Sequence, residues 1–212
     1  VDLARTLVIV ILNDTKYAGT TNMYSNNFAI AYCPIVDGLS SDGFVGIILH
    51  EAVGHGFAKL ADEYVYPEMG AIPQELVEQY SAQKLNGWWA NADFTADPAA
   101  VSWASFISDS RYEAEGVSVY EGALTYTEGA YRPTLTSLMD QNVGDFNAPS
   151  RESIYKRVME LSGESYSRDK FLDYDAVNRT SAAVAARAAA ARAIAGRRFT
   201  PLHPPVLKEF NR

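Results

Sequence analysis

The apolar residues at the start of this chain form runs rather than a scatter, and the runs predict the order of the first elements. Leu7-Val8-Ile9-Val10-Ile11-Leu12 is continuous and rich in β-branched residues, so residues 6–13 read as a buried strand that stops at Asn13-Asp14. The polar segment from Thr15 to Asn27 reads as a loop or ragged edge strand, and Phe28 to Val36 as a second strand. Asp37 to Asp42 is a turn that offers Ser40, Ser41 and Asp42 as helix N-caps. Phe44, Val45, Ile47, Ile48, Leu49, Ala52 and Val53 then cover nearly every side of the next helix. A helix that is apolar all round is a buried one, so this is a central core helix backed by the sheet.

Downstream of Tyr64 the pattern loosens. Pro73 to Lys84 reads as an amphipathic helix, and Trp88-Trp89-Ala90-Asn91 opens a long aromatic region rich in loops. Tyr112 to Pro133 is rich in Gly, Tyr and Glu and shows little periodicity. A polar turn from Gln141 to Asn147 precedes a helix that opens near Pro149-Ser150-Arg151-Glu152, with Ser150 at its start, and runs to about Leu161. Ser181 to Arg197 is helical by its alanine content, and the segment from Pro201 reads as extended. The expected architecture is α+β: a twisted mixed sheet with a buried helix, then an irregular lower part that ends in a helix. Residues 1–165 read as one domain and residues 166–212 as an Ala-rich helix with a Pro-containing extension.

Composition narrows the range of partners. A net charge of −8 argues against nucleic acid and anionic membrane surfaces. No stretch approaches the roughly 20 apolar residues of a membrane span. The chain opens at Val1 without a visible signal peptide, which reads as a fragment or processed form with other domains before it. Cys33 is the only cysteine, so no intrachain disulfide forms, and its apolar strand setting reads as a buried, inert thiol.

The chemistry concentrates in His50-Glu51-Ala52-Val53-Gly54-His55. Zinc-binding helices of peptidases carry two histidines at i and i+4 on one face, with a glutamate after the first as general base. Here the second histidine is at i+5. On a regular helix i+4 returns to within about 40° of its start, whereas i+5 overshoots to about 140°. The two imidazoles meet only if the helix holds one extra residue in that turn, and the predicted device is a single-turn π-bulge near Gly54, which has no Cβ to resist it. Two of the three histidines flank this one glutamate, and the third, His203, falls in a Pro-rich loop.

A catalytic zinc takes three protein ligands and leaves one position open. Asp62 and Glu63 follow His55 by seven and eight residues, about 10 Å further along if the helix ran straight. The chain must therefore turn after His55, where Gly56 and Ala58 are small, to bring a carboxylate back. Asp62 is the preferred third ligand, with Glu63 or a distant Glu113, Glu115 or Glu121 as alternatives. Glu51 is the expected general base.

The run His50 to Tyr64, including Leu60-Ala61-Asp62-Glu63-Tyr64, together with Ser137-Leu138-Met139-Asp140 downstream, resembles the metzincin clan of zinc endopeptidases. It is most similar to the IgA-peptidase family, the igalysins. The likeness extends to Trp88–Trp103, Tyr120–Leu124 and Gly129–Pro133 and covers roughly residues 6–165. It implies a Zn2+ cofactor on His50, His55 and Asp62, with Met139 in a turn beneath the imidazoles. It also implies a protein or peptide substrate along the edge strand, and a bacterial protein that is secreted, periplasmic or at the cell surface. Asn13–Asn27 would form the upper rim of the cleft and Tyr112–Pro133 the lower. Some members have a tyrosine two residues after the turn methionine that assists the oxyanion. Gln141 stands there, so Tyr64, Tyr120 and Tyr131 are the candidates for that role. The third ligand of the clan usually lies where this chain has Ala61. A non-catalytic domain that keeps a metal site, and a zinc exopeptidase suggested by the Glu-x-x-Gly-His form of the motif, are the other readings.

Overall fold

The computed structural model describes residues 2–209, apart from Tyr17, Ser40, Val143 and residues 194–202. Among the described residues six strands form two sheets: Leu7–Leu12 (β1), Thr20–Tyr24 (β2), Ala29–Pro34 (β3), Tyr120–Ala123 (β4), Tyr126–Arg132 (β5) and Val206–Lys208 (β6). The larger sheet is mixed, in the order β1-β3-β2-β6: β1 runs parallel to β3, β2 antiparallel to β3, and β6 parallel to β2. The fold is α+β, as its patterning predicts.

Two strands differ from expectation. β1 is an edge strand rather than a buried one, with Val8, Ile9 and Ile11 between 38% and 52% exposed. Its apolar run encodes strand propensity, but among the described residues no strand pairs with it on that margin. β2 lies inside the segment expected as a loop, and Thr20, Thr21 and Met23 on it are buried. Its polar side chains are spent on the helix and on the far end of the chain, so it lacks the apolar alternation that marks a strand.

Asp42–Ile48 (α1) crosses beneath this sheet, capped by Ser41, whose hydroxyl accepts from Phe44 N–H. Ser40, the other serine considered as a cap, lies outside the described residues. Phe44, Ile47 and Ala52 pack with Ala31, Cys33 and Val36 of the sheet side. Cys33 is fully buried, and burial pushes its thiol up to about 12, which makes it inert.

The lower part is more ordered than its sequence suggests. Helix Gln74–Lys84 (α2) and a short helix Ala104–Ile107 (α3) flank the buried Trp88, Trp89 and Trp103. The region expected to lack periodicity contains the β4–β5 hairpin, with a bulge between Glu121 and Ala123. Its two-residue turn is Leu124-Thr125, both with positive φ (53° and 72°). That is the hairpin geometry usually taken by Asn-Gly, so no turn signal announces it. The turn is held from outside, because Leu124 N–H donates to Asp62 O at 2.9 Å and Thr125 N–H to Tyr64 O at 3.1 Å.

Leu138–Gln141 (α4) is a single turn, and Ala148–Ser162 (α5) is capped by Asn147 rather than Ser150. Asn147 Oδ1 accepts from Ser150 N–H at 3.1 Å. Arg168–Tyr174 (α6) places Phe171 and Leu172 against Trp103, Phe106 and Tyr112, and Ser181–Ala193 (α7) follows. Residues 194–197 of the expected Ala-rich helix lie outside the described residues. Segment 166–212 therefore touches the first 165 residues at both ends, through α6 and through β6.

Arg151 of α5 binds this lower part together. Its guanidinium bonds Glu115 at 2.7 Å and Asp175 at 2.6 and 2.9 Å, and both carboxylates are at most 4% exposed. Burial pushes the Asp175 carboxyl up, but Arg151, Asn178 and the Tyr112 hydroxyl outweigh it and hold it below the usual aspartate range. Its stabilising effect is thus complete above the unfolded value of about 3.9 and is lost as pH falls through the lower folded value. Arg151→Met should lower stability by about 3–5 kcal/mol in denaturant melts by removing the cation that two buried carboxylates share. It should also flatten the acid limb of a plot of melting temperature against pH below about 4. An acid limb identical to wild type would refute the assignment.

Candidate metal centre

From Leu49 to Phe57 the helix that continues α1 is wound as a π-helix, with bonds closing over five residues instead of four. The extra residue between His50 and His55 is therefore absorbed across nine residues rather than in one bulge. Closure of bonds from i to i+5 stacks residue i+5 over residue i, so the two imidazoles meet edge to face at 4.8 Å between centroids.

Gly54 has a reason beyond easing the winding: a Cβ there would lie 2.4 Å from Met139 Sδ. Met139 is fully buried against Ala58 and Leu60, directly under the helix. The helix ends at Phe57, and two residues later Lys59, with a φ of +57°, reverses the chain while Leu60 N–H reaches back to Gly54 O at 2.9 Å. Lys59 itself is buried, and its ammonium donates to Gly56 O and Asn27 O over the Trp88 ring. That reversal carries Asp62 back to the histidines.

The donor set is closely defined. His50 Nδ1 lies 3.0 Å from Leu138 O, and His55 Nδ1 lies 2.7 Å from Leu60 O. A carbonyl only accepts, so each Nδ1 carries a proton and Nε2 is the ring nitrogen left to act as a ligand. The two Nε2 atoms are 3.1 Å apart, and Asp62 Oδ1 is 3.1 Å from each. Three acceptors at that spacing, all at most 2% exposed, repel one another unless a cation sits among them. A proton can join only two of the three. A tetrahedral ion with bonds of about 2.0–2.1 Å sets its donors about 3.3–3.4 Å apart, close to the observed triangle. His50, His55 and Asp62 can therefore hold a metal ion. Two imidazoles and one carboxylate suit zinc and its first-row neighbours better than calcium or magnesium, which take oxygen.

Glu51 points from the same turn toward β2. Its Oε2 accepts from the Thr21 hydroxyl at 2.8 Å, and its Oε1 occupies the space where a Cβ on Gly19 would stand, 2.6 Å away. Burial pushes its carboxyl up to about 7; His50 and Thr21 oppose this, and Asp62 adds to it. Asp62 is shifted the other way. Burial raises it, but the charge and hydrogen bonds that His55 and His50 supply when protonated outweigh burial and hold it well below the usual carboxylate range.

Of the tyrosines considered, Tyr64 alone packs at the centre, stacked on His50 at 6.3 Å between centroids. Burial, then the Asp62 carboxylate, push its phenol far above the usual value. Tyr120 instead donates to Gly116 O, and Tyr131 packs with the Trp103–Phe106 cluster. Among the alternative ligands, Glu115 binds Arg151, Glu121 accepts from Gly129 N–H, and Glu113 lies exposed.

Glu63 has a role that its sequence position does not reveal. Fully buried, it accepts from Asn91 at 2.8 Å, Ser137 at 2.7 Å and Asn147 at 2.9 and 3.0 Å, while its N–H donates to Met139 O at 2.9 Å. Burial raises its carboxyl to about 7 against those donors. Asn91 also clasps both backbone groups of Ala61. One buried carboxylate thus ties the Asp62 segment, the Met139 turn and the cap of α5 into a single support. Compared with known proteins, the chain matches no family model and no curated protein.

Asp62→Ala should abolish stoichiometric metal binding measured by elemental analysis; retention of full occupancy would remove Asp62 from the site. Glu63→Ala strands three buried donors, a loss of about 3 kcal/mol, and should lower the melting temperature by roughly 6–12 °C. An unchanged melting temperature would deny Glu63 its supporting role.

Proposed function

We propose that this protein is a zinc-dependent endopeptidase of the metzincin type that hydrolyses peptide bonds in extracellular proteins. The observation that carries the reading is the equilateral meeting of His50, His55 and Asp62 at 3.1 Å, with the carboxylate of Glu51 held on the next residue of the same turn. A zinc ion held by His50, His55 and Asp62 would supply Lewis acidity toward the scissile carbonyl and would lower the pKa of water toward 7.

The protein's own residues do the rest. His50 and His55 are locked in the Nδ1–H tautomer by Leu138 and Leu60, so both keep Nε2 as a ligand. Thr21 occupies Oε2 of Glu51 and leaves Oε1 to accept the proton of the attacking water and to pass it to the leaving amine. The dry surroundings of Glu51 raise its proton affinity, which suits a base that must also give the proton up. Met139 and Gly54 fill the floor and fix the helix over the turn.

The closure of all four groups to solvent favours a second reading, a non-catalytic domain that retains a structural metal. Zinc content and cleavage of a library of end-blocked peptides, compared between wild type and Glu51→Gln, separate the two. The peptidase reading expects equal zinc in both proteins and a loss of about 10²–10⁴-fold in kcat for the variant. Chelation should abolish cleavage and zinc should restore it. Absence of cleavage by the zinc-loaded wild type would leave the structural-metal reading standing.

A further inference from the structure

His50, Glu51, His55 and Asp62 are at most 2% exposed, yet a polypeptide must reach them if the peptidase reading holds. The strand that borders them is β2. Thr21 bonds both the carboxylate and the carbonyl of Glu51, and Gly19 lies against the same carboxylate. β3 takes the inner edge of β2, which leaves the outer edge as the margin of the sheet beside the site.

That outer edge is filled by the end of the chain. β6 pairs in parallel with β2, with Asn22 opposite Val206, Met23 opposite Leu207 and Tyr24 opposite Lys208. Ser25 N–H donates to Lys208 O at 3.0 Å. Nearer the site, the Thr20 hydroxyl donates to His203 O at 3.0 Å and meets His203 Nδ1 at 2.9 Å. His203, expected as a plain loop residue, is thus seated one residue from Thr21.

The hold of this segment is slight. Three residues pair, Val206 and Lys208 are exposed, and only Leu207 packs against the apolar cluster that includes Met23 and Trp88. Pro204 and Pro205, between the two anchor points, have no N–H and cannot donate to a neighbouring strand. An extended chain without prolines there can make main-chain bonds that this segment cannot. Pairing of this kind with a sheet edge is a general way to bind an extended peptide, because the main chain supplies the affinity whatever the side chains.

We propose that residues 203–208 are a built-in occupant of the outer edge of β2, the edge along which the resemblance places the substrate, and compete with an extended peptide for that strand. The proposal rests on the peptidase reading for its consequence, but not for the docking itself. Removing residues 201–212, or substituting Leu207→Asp in the full chain, vacates the edge.

With an end-blocked unstructured peptide as substrate, both variants should show KM lowered about tenfold with kcat unchanged, as expected if the segment leaves about one tenth of molecules open. A synthetic peptide of residues 201–212, added to the shortened chain, should restore the high KM competitively. The same peptide, fluorescently labelled, should bind the shortened chain at least tenfold more tightly than the full chain by anisotropy. That second readout needs no catalysis, so it upholds or refutes the docking edge even if no protein cleaves peptide. Equal labelled-peptide binding by both chains, or KM values unchanged in both variants, would overturn the proposal. Unfolding of both variants by circular dichroism would overturn it too, since it would make β6 a structural strand.

Discussion

Three lone pairs forced to within 3.1 Å of one another in a dry interior are the constraint on which the rest of this structure turns. Nothing in the packing of hydrophobic side chains would choose that arrangement, since its electrostatic energy is unfavourable until a cation is present. The surrounding elements therefore act as a clamp. Leu138 and Leu60 fix the two rings through their carbonyls, and the strained Leu124-Thr125 turn grips the backbone of Asp62 and Tyr64. Glu63 locks the Asp62 segment to the Met139 turn. Each ligand is thus held by a different part of the chain, and the site is complete only when the sheet, the turn and the hairpin have all formed.

The parts of the fold that sequence made legible are those whose signal is local. Two histidines five apart with one glutamate between them, followed by a carboxylate, can meet only if the helix takes an extra residue into its turn, and the winding from Leu49 to Phe57 follows from that count. What remained hidden is non-local. Thr21 looks like one residue of a polar loop until the helix places Glu51 opposite it, and Glu63 looks like a solvated charge until Asn91, Ser137 and Asn147 converge on it. The hairpin was hidden for another reason. Its turn residues, Leu124 and Thr125, have poor intrinsic preference for positive φ, and they adopt it because residues 62–64 hold their N–H groups from outside. Lys59 is a third case: its left-handed backbone is stabilised by buried bonds from its ammonium to Gly56 and Asn27 rather than by a glycine.

β1 shows the complementary failure. Its run of aliphatic residues reads as a buried strand because burial is the usual reason for such a run, yet strand propensity alone satisfies it at an edge. Periodicity and composition report what a segment prefers to be. Whether a neighbour covers it depends on topology, which no single run contains.

The two carboxylates of the site illustrate how one small volume supports opposite roles. Asp62 and Glu51 are equally buried, and burial acts on both in the same sense, favouring the neutral acid. They part because of what faces them. Asp62 faces two imidazoles, whose charge when they are protonated holds its carboxyl well below the usual range, and a cation between them would act in the same sense. Glu51 has His50 and a threonine hydroxyl to oppose desolvation, too weak a set when Asp62 adds to the rise, and its pKa is pushed up to about 7. In the proposed peptidase this carboxylate would take a proton from water and then release it to an amine, a task that a raised proton affinity suits. The glycine at position 19 belongs to this arrangement as well: a side chain there would displace Oε1, the one oxygen of Glu51 that Thr21 does not occupy.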